Sequence, residues 1–313
     1  MRFLWILAWT LSAAATPQPA TAQGQPIGAL ATIRRATIVV TTCPATLDSD
    51  KFCRAIEIRH GSKADKLGAG YTRVSLLWTG NGQVNGPDAV VRGDYGGSGG
   101  EADLFAISLS HGPAIQKLSG GRIDSVRIDS AHTDTPHIAS AHIARRVTPL
   151  RFDLPFGIEY VNGAPNAGET IIPIPMRWTN GNFAVDMKAL TARNFPAGDL
   201  RFREIAIGHE LNRWTNDSYP AKRLFPPVAN GGTPVTTQAL ADLMLTGHAD
   251  RARMMLHKSW PRSPGRGDIA MPGEDAFWNA LCNKVVHNEH WRRFGLNRLP
   301  HADLIEASAR TSQ

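Results

Sequence analysis

The stretch PMRWTNGNFAVDMKALTARNFPAGDLRFREIAIGHELNRW, residues 175–214, contains the point where the chain changes its repeat. On its left, PMRW and FAVDM flank TNGN, and Asn180-Gly181 supplies the positive φ angles that a tight hairpin needs. On its right, Leu200, Ile207, Leu211 and Trp214 fall on one stripe of a helix that Asp199 can cap. The two periods, 2 and 3.6, therefore meet inside forty residues, and each extends outward into its own half of the chain.

Toward the N-terminus, ATIVVTT and RAIEIRH flank a short polar loop, and RVSLLW, DLFAISL, IDSVRID and HIASAHIARRV follow, bounded by Gly, Pro, Asn or Ser. In DLFAISL, Phe105, Ile107 and Leu109 alternate with Ala106 and Ser108, which predicts a strand with one buried face. Toward the C-terminus, Leu240, Leu243 and Met244 predict a helix ended by Gly247. Ala252, Leu256 and Trp260 mark another, Phe277, Leu281 and Val285 a fourth, and HADLIEASA a short last one. The expected class is α+β, with an antiparallel β-rich domain over 23–195 followed by an α-helical, helical-hairpin domain over 196–313.

The first 22 residues read differently from both. Met1-Arg2, the apolar run Phe3 to Ala13, and the small residues ending at Ala20-Thr21-Ala22 have the three-part order of a secretory signal peptide. The apolar run is shorter than the roughly 20 residues that span a bilayer. A mature chain beginning at Gln23, periplasmic or secreted, with no transmembrane segment after cleavage, is the expectation. Losing Arg2 lowers the formal charge from +7 to +6. Such a charge favours an anionic envelope component or an acidic protein as partner. Basic residues are dispersed without interleaved aromatics, so nucleic acid is not expected.

Three cysteines are present, at 43, 53 and 282. Cys43 and Cys53 enclose CPATLDSDKFC and are expected to pair in an oxidising compartment. Cys282, in FWNALCNKVV, reads as a small buried hydrophobe.

Histidine positions raise the question of metal chemistry. GHELNRW contains the His-Glu of a zinc peptidase helix, but Arg213 occupies the position of the second ligand, and a fixed cation there repels a metal. In HTDTPHIASAH a turn at Pro136 would bring His132, Asp134 and His137 together as ligands. A continuous strand instead puts His132 and His142 on one face and His137 on the other. His287 and His290, one helical turn apart, read as a solvated helix face. Asp94, Glu101 and Asp103 lack the spacing of a calcium loop. The Gly-rich DYGGSGGEAD lacks the Lys-Ser/Thr of a phosphate loop, and the two RGD tripeptides carry little information. No cofactor is implied.

One segment has a family likeness. ALADLMLTGHADRARMMLHKSWPRSP, residues 239–264, resembles a tetratricopeptide-type helix pair, with Gly247 at the turn, Ala252 at the helix–helix approach, Leu256 at the large apolar position and Pro264 at the repeat end. The combination of GGSGGEADLFAISL with GHADRARMMLHKSWP is similar to uncharacterised secreted bacterial proteins. The resemblance implies a fold that presents a surface to other proteins. The expected function is that of a non-enzymatic binding or adaptor protein of the cell envelope, using the helical half for protein contacts. Trp260, Trp278 and Trp291 are candidate anchors if they are not taken up by the core. The alternative is a metal-dependent envelope hydrolase built on His132, Asp134 and His137.

Overall fold

A computed structural model describes residues 26–43, 53–80, 86–96, 101–109, 114–118, 150–158, 170–216, 234–262 and 272–311. The first sheet holds β1 (Pro26–Ile33), β2 (Ala36–Thr42), β3 (Arg54–His60) and β4 (Lys63–Tyr71), side by side in that order. The second holds β5 (Arg73–Thr79), β6 (Ala89–Asp94), β7 (Ala102–Ser108) and β8 (Ala114–Lys117), also in order. The third has β11 (Asn182–Val185), β10 (Thr170–Thr179) and β9 (Arg151–Ile158). Every described pairing is antiparallel. The helices are α1 (Met187–Thr191), α2 (Ala197–Asn216), α3 (Pro234–Leu245), α4 (Ala249–Ser259), α5 (Glu274–His287), α6 (Glu289–Arg293) and α7 (Ala302–Arg310). The class is therefore α+β.

Local chemistry accounts for the turns. Asn180 and Gly181, at φ of 50° and 82°, close the β10–β11 hairpin as TNGN predicts. Cys43 and Cys53 are bonded just beyond the last β2–β3 pair, Thr42 with Arg54, with their Cα atoms 5.4 Å apart. Cross-linking a loop this short stabilises the fold by about 3 kcal/mol on the chain-entropy account. Thr72 is the whole connection between β4 and β5. Its N–H donates to the Asp94 carbonyl at 2.8 Å and fixes the corner where the chain leaves the first sheet for the second.

The second sheet lies in the middle and is apolar on both faces. Ala89, Val91, Phe105 and Ile107 pack on Ile38, Ile56, Ile58 and Tyr71 of the first sheet. Val90, Ala102, Leu104 and Ala106 point the other way, into a larger core. The expectation of one buried face for DLFAISL is thus corrected, because Ala106 and Leu104 are as buried as Phe105 and Ile107. The larger core takes in Phe152, Phe156, Ile174, Met176 and Trp178 of the third sheet and Ile207, Leu211, Leu240, Phe277 and Trp291 of the helices. Apolar packing runs unbroken across residue 195, and α1 already precedes that point.

The helix pair α3–α4 turns at Gly247, whose φ is 87°. A Cβ there would lie 2.9 Å from Pro300 Cδ, so the turn needs glycine for conformation and for space. Ala252 and Leu256 are fully buried behind it. Asp199 lies in the first turn of α2 rather than at its cap, since the helix starts two residues earlier at Ala197. The carboxylate still faces the positive end of the helix dipole.

A side chain joins the second and third sheets. Gln116 of β8 donates from Nε2 to the Phe183 carbonyl at 2.8 Å and accepts the Phe183 N–H on Oε1 at 2.7 Å. The carboxamide thus occupies the open edge of β11 as another strand's peptide group would. Replacing Gln116→Ala leaves both Phe183 groups without this partner, and denaturant unfolding should show a loss of about 1–3 kcal/mol. Gln116→Glu should lose at least as much at neutral pH, because a carboxylate then faces the Phe183 carbonyl. Equal stability of all three proteins would show the joint to be dispensable.

Candidate functional site

The densest polar cluster among the described residues is built on Asp103 of β7. Its Oδ2 accepts from Tyr71 Oη and Tyr95 Oη, each at 2.8 Å, and from Lys117 Nζ at 2.7 Å. Register explains the meeting. Asp103 pairs with Gly93, and the missing side chain at Gly93 leaves room for the Tyr71 ring, which would otherwise lie 2.7 Å from a Cβ. Gly68 performs the same service at the Tyr71 hydroxyl. The glycine of the first RGD tripeptide therefore has a packing role, and its Arg92 donates to Asp94 at 2.6 Å. The second, at 266–268, lies outside the described residues.

Electrostatics follow from this geometry. Burial alone would raise the Asp103 carboxyl, but the hydrogen bonds from Lys117, Tyr71 and Tyr95 outweigh it and hold it below the usual carboxylate range. Burial, and then the bond to Asp103, raise both tyrosines, so their phenols stay protonated as donors. Two phenols and an ammonium converging on one carboxylate oxygen satisfy one another. The cluster ties β4, β7 and β8 together and presents no activated nucleophile or base. Asp94 and Asp103, two of the acidic trio, are both engaged with protein partners.

The remaining histidine and cysteine positions separate. His132, Asp134, His137 and His142 lie outside the described residues. Among the described residues no group of three or more His, Cys, Asp or Glu side chains is placed to hold a metal. His209 is exposed on α2, and the neighbouring Glu210 accepts from the Val235 and Thr236 N–H groups and the Thr236 hydroxyl. Glu210 of the His-Glu pair thus supplies the acceptor that the N-terminus of α3 requires. Cys282 is buried, and burial pushes its thiol up to about 12, which keeps it unreactive.

His287 and His290 do not share a solvated face. Asn288 takes an extended conformation between α5 and α6 and caps α6 by accepting the His290 N–H at 2.9 Å. The break leaves His287 exposed, with its Nδ1 on the Asn283 carbonyl, and turns His290 inward. His290 is 1% exposed and lies between the rings of Phe156 and Phe294, and neither ring nitrogen has a hydrogen-bond partner among the described residues.

The tryptophans named as candidate anchors are placed as follows. Trp278 and Trp291 are core residues whose Nε1–H groups donate inward to Ser308 Oγ and Glu306 Oε1. Trp260 is half-buried with its ring 5.6 Å from Phe277. Exposed large apolar side chains of the helical half are Val235 on α3, Met254 on α4 and a pair on α2. On α2, Phe202 is 72% and Ile205 50% exposed, and with His209 they form a stripe opposite Ile207 and Leu211. At 100° per residue this second stripe is legible in the sequence once apolar residues off the first are counted.

No helix among the described residues is long and apolar enough to cross a membrane. No protein-family model matches the chain, and no curated protein or solved structure is significantly similar to it.

His290 gives a pH dependence whose sign is fixed. Burial, assisted by the Arg293 charge, lowers its pKa to about 4 from the ordinary 6.5. Its neutral form is thus favoured in the folded state, and the stability it preserves is complete above about pH 6.5 and is lost as pH falls toward 4. Unfolding in denaturant should show roughly 3 kcal/mol of acid-linked loss over that window. That component should be missing in His290→Leu, with Glu289 and Arg293 unchanged. Parallel profiles for the two proteins would rule out this origin.

Proposed function

We propose that this is an exported, non-enzymatic binding or adaptor protein of the cell envelope that contacts another protein through its helical half. The observation that carries this reading is the outward stripe of α2. A helix already anchored by Ile207 and Leu211 has no folding need for Phe202 and Ile205 in water. Exposed large apolar side chains clustered on one face mark contact surfaces more often than isolated ones do. Support also comes from the signal-peptide pattern at residues 1–22 and from the tetratricopeptide-like α3–α4 pair, a helix arrangement that commonly presents a groove to proteins.

The charges around the stripe indicate the partner. Arg201 and Arg203 flank Phe202, and Arg203 is bound at 2.8 Å to Asp242, leaving Arg201 outward. An acidic envelope protein, or another anionic envelope component, complements such a surface.

Cross-linking of the mature chain in intact envelopes tests the reading beside the double variant Phe202→Ser, Ile205→Ser. A specific adduct should form with the parent and fall at least tenfold in the variant, while the melting temperature stays within about 2 °C because both side chains are exposed. An adduct of equal yield from both proteins would remove α2 as the contact. A hydrolase activity abolished by one side-chain change would overturn the non-enzymatic reading.

A further inference from the structure

The strand half has an edge unlike the others. Among the described residues β1 pairs only with β2, and its sequence PIGALATI carries no charge while most of its residues are exposed. Outer strands elsewhere are blunted. Gln116 joins β8 to β11, Asn288 Nδ2 donates to Gly157 of β9 at 2.7 Å, and Arg293 donates to the Lys117 carbonyl of β8. β4 carries Lys63, Asp65 and Lys66, and β5 lies against the first sheet.

Register shifts after Pro26 and Ala29 make the first half of β1 irregular, but from Ala31 to Ile33 the ladder runs regularly into the two-residue turn Arg34-Arg35. Such a turn makes Ile33 and Ala36 the hydrogen-bonded pair, so Thr32 points its N–H and C=O away from β2. Beside this regular half lies a cleft of about 480 Å³ lined by Leu30, Ile33, Arg34, Leu76, Thr79 and Asp88. Asp88 accepts the Leu109 N–H at 2.6 Å and stands 3.6 Å from Arg34, so the guanidinium keeps donors for another acceptor. Arg35 is exposed beside it.

We propose that the β1 edge is a strand-addition site for an extended acidic segment of a partner protein. The segment's backbone pairs with the outward groups around Thr32, an apolar side chain enters the cleft, and carboxylates reach Arg34 and Arg35. Charge selects this occupant. A second copy would bring the same uncharged strand and another basic chain, whereas an acidic segment complements the basic turn. The site is independent of the α2 stripe.

The probe is a synthetic peptide of alternating Val and Thr with two Glu at its N-terminus and fluorescein at its C-terminus. Antiparallel addition sets its Glu end beside Arg34 and Arg35. Fluorescence anisotropy should show saturable binding, at least tenfold weaker for a peptide with Lys in place of Glu and undetectable for one N-methylated on alternate residues. Thr32→Pro, which removes an outward N–H, should weaken binding at least tenfold. Arg34→Gln with Arg35→Gln should abolish the preference for Glu. The α2 double variant should bind the peptide as the parent does, so the two surfaces are judged separately. The proposal is overturned by the absence of saturable binding, by binding that survives N-methylation, or by sedimentation showing a dimer that Thr32→Pro dissociates.

Discussion

The central strands of the second sheet, β6 and β7, are buried on both faces, and that constraint organises the rest of the molecule. A sheet buried on both sides must be covered on both sides. Here the first sheet covers the face of Val91, Phe105 and Ile107, while the third sheet and the helices share the core on the face of Val90, Leu104 and Ala106. Asp103, a buried carboxylate on one of its central strands, must then find its partners inside the protein. It finds them in Tyr71, Tyr95 and Lys117. An uncompensated carboxylate at that depth would cost several kcal/mol.

The same constraint explains where glycine is needed. Tyr71 reaches Asp103 only because Gly93 and Gly68 leave its ring and hydroxyl unobstructed, and its ring also meets Phe105 edge-on at 6.4 Å. The chain turns the corner from β4 to β5 immediately after this residue. The hydroxyl that closes the polar cluster thus belongs to a residue fixed by the corner, the ladder and the core at once. That coupling suits a structural clamp, since any motion freeing the phenol would have to open the interface between two sheets.

How much of this is legible in the sequence depends on whether a residue's role is local. β2, β3, β5 and β7 are rich in branched and aromatic residues and announce themselves, as do the TNGN turn and the Cys43–Cys53 loop. β1 and β4, PIGALATI and KADKLGAGY, have little intrinsic preference for strand and are held by the ladders of their neighbours. VVHNEHWRR reads as one helix, and the break at Asn288 that sends His290 inward comes from tertiary packing, with Asn288 itself tied to Gly157. Asp103 looks like a loop acid at the end of a Gly-rich run. Its three partners come from elsewhere in the chain, and no spacing rule joins them before the register is known.

Asp103 is matched with partners inside the protein, and two surfaces that carry apolar character, the α2 stripe and the β1 edge, lie outside its core. Phe202 and Ile205 are side chains on a rigid helix, so whatever covers them must supply a complementary apolar face and gains from area. β1 offers backbone, so whatever covers it must be extended and gains from hydrogen bonds, with the cleft selecting one side chain. Both surfaces are bordered by arginine, Arg201 in the first case and Arg34 with Arg35 in the second. In a basic chain such borders disfavour contact with further basic surfaces and favour contact with acidic ones. Apolar exposure then remains compatible with a dispersed protein, because charge at the rim restricts which surfaces can dock.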